Sequence, residues 1–117
     1  MSGPLSFDGH ARSVHGHARS VHKNAVEKGF WSDRVDDIFI AKQCMMIVSE
    51  VTELMEAIRK DRGKDEVAHE TADILIRTFD LWQGMVEHGY AEGSLQAAFN
   101  NKTEHNKARP ERHGVRF

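Results

Sequence analysis

A chain of 117 residues, 39% hydrophobic and 29% charged, has the size and composition of one helix-rich domain with a real core. Its net charge of −2 gives nucleic acid no electrostatic hold on the molecule as a whole, and one cysteine, Cys44, excludes an intrachain disulfide. No apolar run approaches the roughly 18 residues of a membrane span, and the opening MSGPLSFDGHARSVH lacks the apolar block of a signal peptide, so a cytoplasmic setting is expected.

The first element carries a tandem duplication, GHARSVH at residues 9–15 and again at 16–22. Seven residues make two helical turns, so Ala11, Val14, Ala18, Val21 and Ala25 share one stripe of a helix expected from about Asp8 or Ala11 to Lys28. Its histidines, His10, His15, His17 and His22, hint at metal only by composition. The repeat reads more simply as a lengthened helix. Gly29 is the expected terminator, and GFWSD then makes a corner with Ser32 or Asp33 as the cap of a second helix reaching Arg62. Gly63 separates it from a third helix, which opens at Lys64 or Asp65 and closes near His88. Ser94 caps a fourth, SLQAAFNNKTEHNKA, which Pro110 forbids from continuing. No stretch alternates at period two, so the expected fold is all-α, four helices joined by short turns.

Charge is distributed unevenly along this frame. Between Glu50 and Asp73 stand eight acids and four bases, whereas residues 100–117 hold five bases and two acids. On the second helix the apolar stripe is Cys44, Ile47, Val48, Val51, Leu54, Met55 and Ile58, with Glu50 and Glu53 at its margin and Glu56 on the solvated side. On the third, Ala68, Thr71, Ala72, Leu75, Phe79, Trp82 and Val86 are expected inside. Glu70, Asp73, Arg77 and Asp80 then face out, with Asp73–Arg77 as an i,i+4 pair. The flanking Val67, Ile74, Leu81 and Met85 suggest a second contact, with another subunit.

One acid pair at i,i+3 is common by chance. Glu50-x-x-Glu53 and Glu70-x-x-Asp73, however, lie on consecutive helices joined by one tight turn, so antiparallel packing brings both pairs to similar height. Four clustered carboxylates repel by about 2–3 kcal/mol per close pair at an effective dielectric near 20. A cation must offset that, and oxygen donors without histidine or thiolate favour magnesium, manganese or calcium over zinc. On the fourth helix Lys102 and Asn106 continue the line of Leu95 and Phe99, although a lysine at a helix end also snorkels to water. Lys107, Arg109, Arg112 and His113 form a basic cluster suited to phosphate, and the interleaved Glu104 and Glu111 argue against a nucleic-acid track.

Together these residues resemble the MazG-like family of all-α nucleoside triphosphate pyrophosphohydrolases. The family pattern E-E-x-x-E followed by E-x-x-D is matched by SEVTE at residues 49–53 and ETAD at 70–73, with Ser49 in place of the first Glu. HKNAVEKGFW at 22–31 and NKTEHNKARPERHGVRF at 101–117 extend the likeness. The resemblance covers a domain at residues 21–117, leaving residues 1–20 as an extension. It implies magnesium, with manganese as substitute, on Glu50, Glu53, Glu70 and Asp73, and a homodimer or homotetramer. It implies conversion of a nucleoside triphosphate to monophosphate and pyrophosphate. On that reading Glu53 and Glu50 would serve the reaction, Lys102, Asn106, Arg109 and Arg112 the phosphates or sugar, and Trp31 or Phe30 the base, although an aromatic pair at a helix corner is more often part of the core. The rival readings are a nucleotide- and metal-binding sensor without turnover, as Ser49 would permit, a structural helical oligomer, and phosphoribosyl-ATP pyrophosphatase, a related step on another nucleotide.

Overall fold

The computed structural model describes residues 13–111, which form four helices and, among the described residues, no strand. They are α1 (Val14–Glu27), α2 (Asp37–Arg59), α3 (Lys64–Glu87) and α4 (Leu95–Ala108). The described residues are all-α, in keeping with the periodicity of the sequence. None of these helices is long and apolar enough to cross a membrane. Two compact units are present: Gly16–Glu92, with α2, α3 and most of α1, and another that contains α4.

The second GHARSVH copy lies inside α1, so the expected boundary at residue 20 falls within a continuous helix. Residues 9–12 of the first copy, including His10, are outside the described residues. The expected stripe is seen at Ala18 and Ala25, which are buried, and at half-buried Val21. α1 ends where Gly29 takes φ +82, a left-handed conformation that only glycine adopts without steric cost. The Phe30 amide then reaches back to the Ala25 carbonyl at 3.0 Å.

Expectation and structure differ at the start of α2, four residues later than the corner GFWSD suggested. The Ser32 hydroxyl accepts from the Arg34 amide at 3.1 Å and holds that corner out of the helix. Asp36 is the true cap, extended at φ −131, with its carboxylate accepting from the Phe39 amide at 2.9 Å. The far end also closes early, at Arg59. Asp61 takes φ +50, and the Arg62 amide returns to the Ala57 carbonyl at 2.9 Å, so Asp61 closes α2 and Gly63, at φ +100, then leads into α3. Ser94 caps α4 as expected, accepting from the Ala97 amide at 3.1 Å.

The largest correction concerns which faces meet. α2 and α3 pack against each other along their length. On α2 Ile40, Gln43, Glu50 and Ala57 are buried and Ile47 and Leu54 half-buried, and the less exposed residues of α3 include Val67, Glu70, Ile74, Arg77, Leu81 and Gly84. Both sets advance by three and four, so each is one continuous helical line. Val67, Ile74 and Leu81, expected to seek another subunit, therefore serve the intrachain contact. The more apolar arc is left outside: Val48, Val51, Met55 and Ile58 on α2, and Leu75 and Ile76 on α3, are 43–61% exposed. Ala68, Thr71 and Ala72 are exposed as well, while Phe79 is buried and Trp82 and Val86 are half-buried. Hydrophobicity alone ranks the arcs wrongly because each helix has two of them and one neighbour covers only one.

Candidate functional site

Glu50 occupies the middle of the inner line of α2 and is only 9% exposed. Glu53 lies one turn on and is exposed, and Glu70 enters from the inner line of α3. Each turns one carboxylate oxygen to within 4.8 Å of the others. Three of the four expected ligands are thus brought together by the antiparallel hairpin. The fourth, Asp73, lines an adjoining cavity of about 470 Å³ with Glu50, Arg77, Asp80, Asn24 and Phe30.

The electrostatics of this cluster are strained at Glu70. Its Oε2 is buried and has no hydrogen-bond partner. Burial first, then the charges of Asp73, Glu66 and Glu50, hold its carboxyl above the ordinary carboxylate range, against an opposing pull from Arg62. An unpartnered carboxylate oxygen beside two further acids fits a hard divalent cation, which takes oxygen donors and offsets their repulsion. Glu56 contrasts with it. Arg59 grips Glu56 at 2.6 and 2.8 Å and lowers its pKa to about 2, with Lys60 at 3.4 Å, so this third acid of the motif region is satisfied by local bases on the solvated side.

Arg77 does not pair with Asp73. Its Nε donates across the helices to Glu50 Oε1 at 3.3 Å, because residue 77 lies on the inner line. Behind the cavity a second network closes the unit. Asp80, 6% exposed, accepts through Oδ1 from Trp31 Nε1 at 2.9 Å and meets His22 Nδ1 at 2.8 Å. Neither contact is foreseeable from the sequence, since 58 and 49 residues separate the partners. The motif HKNAVEKGFW contains both donors, and that shared segment is the only trace they leave.

Trp31 sits within a cluster of rings. Its ring meets His22 edge-on at 4.8 Å, Phe39 at 5.3 Å and, stacked at 4° between planes, His88 at 5.9 Å. Phe30, 59% exposed, is the aromatic that borders the cavity. His17 stacks on Phe79 at 6.1 Å, a packing role in keeping with reading the repeat as helix.

α4 gives less than its pattern suggested. It buries none of its residues, and Lys102 and Asn106 are exposed, because Leu95 and Phe99 alone are too short a stripe to define an inner face. Lys107 pairs with Glu104 at 3.3 Å, and Arg109 donates to Asn106 Oδ1 at 3.4 Å. Arg112 and His113 lie outside the described residues. No family model matches the chain, and no curated protein or solved structure shows significant similarity to it.

Proposed function

We propose that the chain is a magnesium-dependent nucleoside triphosphate pyrophosphohydrolase of MazG-like type, releasing monophosphate and pyrophosphate. The observation that carries this reading is the convergence of Glu50, Glu53 and Glu70, with a buried, unpartnered oxygen on Glu70. Glu50, Glu53, Glu70 and Asp73 would hold magnesium, or manganese in its place. A cation bound there supplies neutralisation of the triphosphate charge and a lowered pKa for the attacking water. Glu53, the exposed acid of the three, orients that water and accepts its proton. Phe30 lies against the base, taking the role that Trp31 is too engaged to fill.

Glu53→Gln and Asp73→Asn test the assignment. Each is expected to cut pyrophosphate release at saturating magnesium by about a hundred-fold or more, the scale of several kcal/mol of lost charge stabilisation. Full activity in both variants would remove these residues from the reaction.

The exposed Val48, Val51, Met55 and Ile58 of α2 and Leu75 of α3 support a homodimer or homotetramer, since the contact between these helices leaves them uncovered. Sedimentation is expected to give one of those states, and Val51→Glu to shift it toward monomer. A monomer at every concentration would contradict the assembly.

A further inference from the structure

Arg77 is the only base among the described residues that line the 470 Å³ cavity, where it stands with Glu50, Asp73 and Asp80. Its side chain is 25% exposed and that of Glu50 11%, so the pair is shielded without being sealed. The contact is loose. A charge-assisted N–H···O bond runs at roughly 2.7–2.9 Å, whereas Arg77 Nε stands 3.3 Å from Glu50 Oε1. A buried carboxylate left with no counter-charge is costly, which explains why a base occupies this inner position at all. A guanidinium and a divalent cation repel one another, however, and both seek the oxygens of Glu50. A guanidinium displaced from Glu50 remains in a cavity open to a polyanion, whose phosphates its planar fork suits.

We propose that Arg77 is an exchangeable counter-ion: it neutralises Glu50 in the metal-free protein, gives way when a divalent cation takes that carboxylate, and then binds a phosphate of the incoming nucleotide. This rests on the reading of Glu50 as a metal ligand. Arg77 so used is a positioning residue for the metal and a direct ligand for substrate. It makes the two binding events favour each other, because magnesium frees the group that phosphate needs.

The experiment is calorimetry on the full chain with Mg²⁺ alone, then with inorganic tripolyphosphate at saturating Mg²⁺, a probe with phosphates and no base. Arg77→Met is expected to bind Mg²⁺ about five-fold more tightly than the unmodified chain and tripolyphosphate about five-fold more weakly. Arg77→Lys, which keeps the charge and loses the fork, is expected to leave Mg²⁺ affinity near its original value and to weaken tripolyphosphate. A base that merely props Glu50 in place predicts the opposite sign for Mg²⁺, so equal or weaker Mg²⁺ binding by Arg77→Met overturns the proposal and leaves the metal site standing. Failure of the unmodified chain to bind Mg²⁺ overturns both. Should Arg77→Met not fold, the Nε–H resonance of Arg77 in the unmodified chain decides: a shift and faster exchange on adding Mg²⁺ support exchange, and an unmoved signal refutes it.

Discussion

Glu70→Gln is expected to raise the melting temperature of the metal-free protein at neutral pH while cutting magnesium-dependent pyrophosphate release by about a hundred-fold or more. The substitution keeps the shape of the side chain and removes a charge that is buried at Oε2, unpartnered and beside Glu50, Asp73 and Glu66. The sign of the pH dependence follows from the raised pKa. A carboxyl that ionises less readily folded than unfolded binds more protons in the folded state, so its penalty is full above the folded pKa and vanishes below the unfolded one. Metal-free protein should therefore gain stability from this group as pH falls from neutrality into the upper carboxylate range, and Glu70→Gln should lose that gain. Saturating magnesium should reverse the trend in the unmodified chain, because protons then displace a bound ion that stabilises by mass action. Thermal melts at several pH values, with and without magnesium, read all of this. A Glu70→Gln protein less stable than its parent without metal would show the carboxylate to be a structural anchor.

Gly84→Ala should destabilise the protein by about 2–4 kcal/mol, against the direction of helix propensity, which favours alanine by roughly 0.5–1 kcal/mol. Gly84 is in the interior of α3, and a Cβ there would overlap the six-membered ring of Trp31. The indole has nowhere to retreat. Asp80 holds its nitrogen at 2.9 Å, His22 and Phe39 flank the ring, and His88 covers it in parallel. Overpacking costs about 1–3 kcal/mol, and displacing the indole from its carboxyl acceptor costs a similar amount again. The melting temperature should fall by roughly 10 °C or more. Trp31→Phe, itself destabilising, should make Gly84→Ala much less harmful in the double variant, since the clashing ring is gone. A neutral or stabilising Gly84→Ala would mean that the indole does not occupy this position.

The four helices are legible because their apolar residues recur at helical spacing and Gly29, Ser94 and Pro110 punctuate them. The start of α2 is not legible because Ser32 and Asp33 also have the chemistry of a cap, while Asp36 is the residue whose carboxylate reaches a free amide. The paired acids were legible from spacing plus one short turn, and three of their carboxylates do converge. Their setting was not. A wheel ranks arcs by hydrophobicity, whereas the hairpin closed on the arc containing Gln43, Glu50 and Arg77. That choice puts Glu50 inside, turns Arg77 from an i,i+4 partner into a cross-helix one, and exposes the oily arc. The His22–Asp80–Trp31 network joins residues far apart in sequence, so no local pattern announces it. On α4, Lys102 and Asn106 shared a stripe with two apolar residues only, too few to fix where that stripe faces.

The most direct test places an ion. A crystal of the full chain soaked in manganese, measured at the manganese absorption edge, should give an anomalous peak among the carboxylates of Glu50, Glu53, Glu70 and Asp73. No peak there, with those side chains turned to bulk solvent in ample manganese, would contradict the account.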